Sequence, residues 1–394
     1  MPRAQPLAVL LLNQISPKGL ERLPTERFLV ARDVARPDAL LVRSADLHAM
    51  EIPASVVAIG RCGAGTDNIP VPAMSARGVP VFNAPGGNAN AVKELVLAGM
   101  LMAARNLAPA QRFVAGLDGA DPRLEQTVEQ GKKAFAGFEL AGQTLGVVGL
   151  GKIGCLVADA AIKLGMDVLG YDPEITVDAA WSLPAQVRRA ASVADVLRNC
   201  HFVSLHVPLV DATRHLVNQD NLGFMRPGAV LLNFSREGVV DDAAVVVALQ
   251  AGRLGWYVCD FPHAGVLAAP RVIALPHLGA STREAEDNCA AMVADQLRDF
   301  LEHGNVANAV NFPQVNMPRE SRWRIAIANA NVPNMLGQIS TAMAHAGLNI
   351  HNMVNKSRGD MAYTLVDVDS AVSEQVLDTL RAIEGVLAVR YLPA

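Results

Sequence analysis

The chain carries no excess of basic charge: 34 Lys and Arg stand against 38 Asp and Glu, a formal net charge of −4. That balance excludes a bulk nucleic-acid binder, which needs a strong cationic surplus, though it leaves room for a local basic pocket. Long apolar runs are also missing. The first, Leu7 to Leu12, has six residues, and the longest, Leu95 to Ala104, has ten. Both are too short to cross a bilayer, and no small-residue cleavage site follows the Met1-Pro2-Arg3 start. The five cysteines (Cys62, Cys155, Cys200, Cys259 and Cys289) are scattered, odd in number and never spaced Cys-x-x-Cys. No disulfide framework or metal cluster is expected, and a reduced, cytoplasmic protein is. Repeats and low-complexity segments are absent.

What remains is a chain of 394 residues, 51% apolar and only 18% charged, enough for two or three domains with real cores. Short Val/Leu/Ile runs such as Ala39–Val42, Val56–Ile59 and Val79–Phe82 alternate with helical stretches and Gly or Pro stops. The rhythm restarts at Thr144 and continues through Asp167–Tyr171, Phe202–Val207, Ala229–Asn233, Trp256–Asp260 and Val272–Leu275. This predicts α/β architecture with two doubly wound parallel sheets of the Rossmann or flavodoxin kind, the second with five or six strands. The polar stretch from Asp118 to Lys133 separates them. Asn308 to Met317-Pro318 reads as a linker. Beyond it, strands at Trp323–Ala328, Ile350–Val354, Met361–Val368 and Val386–Leu392 alternate with helices at Gly337–Ala346 and Ser373–Ile383. That βαββαβ order predicts a ferredoxin-like α+β module.

Gly149-Leu150-Gly151-Lys152-Ile153-Gly154 directly follows a predicted strand and opens a predicted helix. In that context Gly149 permits the tight turn, Gly151 lets the backbone approach a pyrophosphate, and Gly154 lets helix and strand pack closely. Asp172, 18 residues after Gly154, ends the next strand. A carboxylate there accepts ribose hydroxyls and repels a 2′-phosphate, so the expected cofactor is NAD rather than NADP. Arg236 lies just beyond the strand ending at Asn233, and His277 follows the strand ending at Leu275. Ligands of α/β sheets bind at such strand ends, and a cation with an acid/base is what hydride transfer from a hydroxy acid requires.

With these segments, and with Ile59-Gly60-Arg61-Cys62-Gly63-Ala64-Gly65-Thr66-Asp67-Asn68-Ile69, the chain resembles the D-isomer-specific 2-hydroxyacid dehydrogenases over essentially its whole length. It resembles more closely the branch that oxidises D-3-phosphoglycerate with NAD. The resemblance implies that Arg236 binds the substrate carboxylate and keto oxygen and that His277 is the general acid/base. Asp260 would hold the nicotinamide carboxamide. Lys152 and Ile153 would meet the pyrophosphate, Val207 and Pro208 would follow the cofactor, and Phe234, Ser235, Gly279 and Ala280 would line its nicotinamide end. Arg43, Ser44, Arg61 and Asn88 would take the second anionic group of a small phosphorylated 2-hydroxy acid.

The same resemblance implies a discontinuous substrate domain (1–93 and 283–313), an inserted NAD-binding domain (94–282) and a C-terminal ACT domain (320–394). An amino-acid effector would meet Asn329, Asn331 and Asn349 there, although Pro333-Asn334 stands where Pro-Gly is usual. A homodimer or homotetramer built on the Leu95–Ala104 helix is expected. No metal, nucleic acid or membrane partner is.

Other departures concern the site. Lys93-Glu94 replaces the usual Ala-Glu, and Glu237 follows Arg236 where Gly is common. The family pattern places Glu five residues after the Asp260 position, and here that residue is Gly265. Without a carboxylate neighbour His277 is expected to titrate lower. Three outcomes stay open: another carboxylate such as Glu284 or Glu286 substitutes, the enzyme works without one, or the chain binds NAD without turnover.

Overall fold

A helix that carries the chain back to the starting edge of a sheet lets the strands it joins run in the same direction and pair in parallel. The computed structural model describes residues 6–393, so the reading of Met1-Pro2-Arg3 falls outside the described residues. Two compact units divide them: residues 6–88 with 283–393, and Ala89–Thr282.

The first unit opens with β1 (Leu7–Leu11), β2 (Phe28–Ala31), β3 (Ala39–Val42), β4 (Ala58–Arg61) and β5 (Val81–Phe82). They form one parallel sheet in the order β2-β1-β3-β4-β5. All four residues of β3 are buried, as a central strand covered on both faces requires. The helix Arg283–His303 lies against this sheet so closely that a Cβ at Gly60 would come within 2.6 Å of Val293 and Leu297.

The second unit holds β6 (Thr144–Val148), β7 (Asp167–Tyr171), β8 (Arg188–Arg189), β9 (Phe202–Leu205), β10 (Ala229–Asn233), β11 (Leu254–Cys259) and β12 (Val272–Ala274). All are parallel, in the order β12-β11-β10-β9-β6-β7-β8. The strand order reverses at β6, which opens a crevice at the C-terminal strand ends. The helix Ala89–Ala104 spends Val92, Val96, Met100 and Ala103 on the core of its own unit, leaving Leu101 42% exposed.

The C-terminal sheet of the first unit comprises β13 (Trp323–Ala330), β14 (Ile350–Arg358), β15 (Met361–Val368) and β16 (Val386–Pro393), antiparallel in the order β14-β15-β13-β16. Ile325, Ile327, Val366 and Val368 face the helices Met335–His345 and Glu374–Arg381. The alternate residues Ala326, Ala328, Tyr363 and Leu365 share a core with Phe300 and Phe312 instead. The 308–318 segment is therefore not a free linker. Ala309, Phe312, Val315 and Met317 are buried, and the Asn311 side chain accepts from the Val81 N–H and donates to the Val79 carbonyl. The Asn311 side chain acts as a substitute for backbone groups, which composition alone does not distinguish from a solvated loop.

Inside this junction Arg324 is fully buried. Its guanidinium donates to both Asp367 oxygens (2.6 and 2.9 Å) and to the carbonyls of His303, Met317 and Pro318. Burial alone would push the Asp367 carboxyl up, but the Arg324 hydrogen bonds and the Glu320 N–H hold it below the usual range.

Candidate active site

All the cofactor residues expected from the sequence stand at one edge of the seven-stranded sheet, in the turns that leave β6, β7, β9, β10, β11 and β12. The glycines of the first turn differ in what they avoid. Gly149 has φ +92°, and a Cβ there would lie 2.5 Å from the His206 carbonyl oxygen and 3.0 Å from Val207. A Cβ at Gly154 would overlap the Gly149 carbonyl oxygen. At Gly151 a Cβ would meet no protein atom within 4 Å, so the space there is left for something other than protein. Gly151 also caps the helix Lys152–Lys163, whose first N–H groups have no carbonyl partners within the helix. An open cradle facing a helix N-terminus fits a dinucleotide pyrophosphate.

Asp172 fits the ribose end, although part of its capacity is spent on the turn. Its oxygens accept the N–H groups of Leu150 (2.8 Å) and Glu174 (2.9 Å). Lys152 is exposed and Ile153 half-buried, while Pro208 is exposed after β9. Phe234 points inward: only 6% exposed, it packs where a Cβ at Gly99 would touch it, so the backbone alone is offered to a ligand.

Asn233, fully buried, organises the turn after β10. Its side chain accepts from the Ser235 N–H and hydroxyl and donates to the Arg236 carbonyl. The Arg236 guanidinium donates to the Ser235 carbonyl at 2.7 Å. Asp260, 1% exposed, accepts the N–H groups of Leu278 and Gly279, each at 2.7 Å. Burial raises its carboxyl above the ordinary value, while those N–H groups and His277 oppose the rise. Asp260 thereby fixes the loop that carries His277 and Ala280. His277 itself is exposed, sits at φ +55° and has its ring against the edge of Phe261 at 5.1 Å. A left-handed histidine is uncommon and costs free energy, a strain that loops tend to keep at functional sites.

No carboxylate hydrogen-bonds the His277 ring among the described residues. Glu284 lies 3.6 Å from Arg283, and Glu286 lies 2.7 Å from Arg43. Burial raises the thiols of Cys62 and Cys200 to about 12, so these two are core residues rather than nucleophiles. All five cysteines are buried and unpaired.

In the other unit Arg43 and Ser44 leave the C-terminal end of β3. Their N–H groups and that of Ala45 converge on Asn13 Oδ1 at 2.9 to 3.0 Å, a contact that sequence reasoning did not find. Arg61 ends β4 with its guanidinium over Gly63, and Asn88 Oδ1 is buried without a partner among the described residues.

The three asparagines of the C-terminal sheet do not meet within one chain. The Asn331 N–H donates to Asp360, just before β15, whereas the Asn349 N–H donates to Asp369, just after it. Asn329 is 1% exposed; its Nδ2 donates to the Ala330 carbonyl and its Oδ1 has no partner among the described residues.

Residues 97–279 match the family described as D-isomer specific 2-hydroxyacid dehydrogenase, NAD binding domain. The chain is 31% identical to D-3-phosphoglycerate dehydrogenase of Haemophilus influenzae over 358 residues, covering 87% of this chain and 83% of that one. It is 32% identical to the Escherichia coli K12 protein of the same name over 350 residues, covering 86% and 82%. Among solved structures, the TT0316 protein of Thermus thermophilus superposes with a TM-score of 0.63 at 27% identity, over 77% of this chain and 99% of that one. The sheet order, the glycine turn and these relatives agree: the chain belongs to the D-isomer-specific 2-hydroxyacid dehydrogenase family.

Proposed function

We propose that this dehydrogenase oxidises D-3-phosphoglycerate to 3-phosphohydroxypyruvate with NAD, the first step of L-serine biosynthesis. The observation that carries the reading is the sharing of one sheet edge by the glycine turn, Arg236 after β10 and His277 after β12. The names of the relatives at 31% and 32% identity support the substrate.

NAD, when bound, supplies a hydride acceptor; Gly149, Gly151 and Gly154 cradle its pyrophosphate and Asp172 its ribose. Arg236 binds the substrate carboxylate and draws electron density from the reacting C–O bond. His277 takes the hydroxyl proton, and Asp260 holds the His277 loop by its two backbone contacts. Arg43, Ser44, Arg61 and Asn88 hold the phosphate. Arg43→Ala and Arg61→Ala test this assignment. Each should raise KM for 3-phosphoglycerate about ten-fold or more, as loss of a charged hydrogen bond does, and leave an unphosphorylated 2-hydroxy acid nearly unaffected. Equal losses on both substrates would point to another D-2-hydroxy acid.

A second reading, a catalytically weak NAD-binding sensor, draws on one observation: the family Glu is replaced by Gly265. NAD binding with no turnover on any 2-keto acid would favour it.

The C-terminal module is read as an ACT domain whose amino-acid effector meets Asn329, Asn331 and Asn349. Since Asn331 and Asn349 flank opposite ends of β15, one effector site needs two copies of the chain, in keeping with a homodimer or homotetramer. Titration calorimetry with L-serine, together with sedimentation of the free protein, tests both points. Five unpaired thiols suit a reducing cytoplasm.

A further inference from the structure

A Cβ built at Gly265 would have one neighbour within 4 Å, the imidazole of His263, 3.5 Å from Cε1 and 3.6 Å from Nδ1. The far side of that ring is held. Nε2 lies 2.7 Å from Asp242 Oδ2, and Asp242 Oδ1 accepts the Tyr257 hydroxyl at 3.0 Å. Burial keeps that hydroxyl protonated, far above its ordinary range, so it stays a donor. Glu237 completes the surroundings, with a carboxylate oxygen within 4.8 Å of the Asp242 and His263 ligand atoms.

The loop therefore contains a carboxylate-backed imidazole, but the ring is His263 and not His277. An ionised Asp242 accepting Nε2–H leaves the lone pair of neutral His263 on Nδ1, the nitrogen beside Gly265. The Tyr257 hydroxyl fixes Asp242 in place, and Asp242 in turn fixes the His263 ring. His263 is one third exposed, 34%, so its proton can pass on to water.

We propose that His263, oriented by Asp242, is a proton-relay residue that replaces the carboxylate absent at position 265. The proposal rests on the dehydrogenase reading above. On oxidation the substrate C–H electron pair leaves as hydride to the nicotinamide, and the O–H bond breaks as the carbonyl forms. The hydroxyl proton goes to His277. Through water it then passes to His263 Nδ1 and on to solvent, which returns His277 to its neutral form.

The test uses the purified full chain with NAD and 3-phosphoglycerate, measuring kcat and KM across pH. The variants are His263→Gln, Asp242→Asn and the double change His263→Gln with Gly265→Glu. The relay predicts that His263→Gln lowers kcat about ten- to a hundred-fold with little change in KM for NAD, the range of one acid/base group. Added imidazole should restore part of that kcat. Gly265→Glu in the same background should restore more, since no other atom crowds the position. Full kcat in His263→Gln would overturn the proposal, as would a loss that neither imidazole nor Gly265→Glu recovers. Inactivation by a chelator, reversed by a divalent metal, would overturn it in favour of a metal held by Glu237, Asp242 and His263. Absence of turnover in the unaltered chain would remove the dehydrogenase reading and the relay together. Turnover there with a fully active His263→Gln would remove the relay alone.

Discussion

The Arg43 guanidinium lies 2.7 Å from the Glu286 carboxylate, so the residue assigned to the substrate phosphate already holds an anion. A phosphate would compete with that carboxylate for the guanidinium. The two side chains are 35% and 39% exposed, so the pair itself contributes little to stability, about 1 kcal/mol at most. Glu286→Gln should therefore lower KM for 3-phosphoglycerate about two- to five-fold with little change in Tm. KM for glyoxylate in the reverse direction should not move. An unchanged KM for the phosphorylated substrate would separate Arg43 from its recognition.

The glycine turn gives a paired prediction. Gly151→Ala meets no protein atom, so it should fold with an unaltered Tm while its methyl group occupies the pyrophosphate cradle. NAD affinity should fall about ten-fold or more, as when a charged contact is lost. Gly154→Ala overlaps the Gly149 carbonyl oxygen and should lose stability as well as NAD binding. Thermal melts with fluorescence titration of NADH separate the two behaviours.

The buried Arg324–Asp367 pair predicts a large, one-sided effect. Removing one partner leaves the other charge buried and unpaired, at a cost of about 3–5 kcal/mol, so Arg324→Ala and Asp367→Asn should each unfold far more readily in urea. The Asp367 carboxyl is depressed in the folded chain. Its contribution is therefore fully present above the ordinary carboxylate range and is lost as pH falls through its folded value.

His206 predicts the acid side of the second unit. Burial lowers it from 6.5 to about 4, and the Ser204 hydroxyl lies 2.9 Å from its Nε2. Between those values the unfolded chain binds a proton that the folded chain does not, so stability falls as pH drops through 6.5 and levels off below about 4. His206→Gln should flatten this part of the stability curve, measured as urea midpoints at several pH values.

Much of the architecture was readable because parallel strands buried on both faces are continuous apolar runs. Ala39–Val42, Asp167–Tyr171 and Ala229–Asn233 have the bounds expected of them, as does Met361–Val368, an antiparallel strand that is also buried on both faces. Two edge strands were not readable. Phe28–Ala31 is half exposed, and Arg188–Arg189 is a pair of exposed charges whose pairing depends only on backbone. At the site, the glycines, Arg236 and His277 carry their chemistry in local spacing. Asn13, Asn233 and the Asp242–His263 pair do not. Asn13 meets Arg43 across 30 residues and Asp242 meets His263 across 21, distances along the chain at which sequence pattern says nothing about contact. The 308–318 segment misled for the opposite reason: its Asn311 is tied to the Val81 N–H of β5 and to the Val79 carbonyl instead of to water.

The most direct measurement is NADH oxidation by the purified chain with 3-phosphohydroxypyruvate, run beside pyruvate and glyoxylate, with Arg236→Ala as the blank. Turnover that prefers the phosphorylated keto acid and disappears in Arg236→Ala is the predicted result, and it would establish a working dehydrogenase with glycine at position 265. Bound NADH with no turnover on any of the three would contradict it.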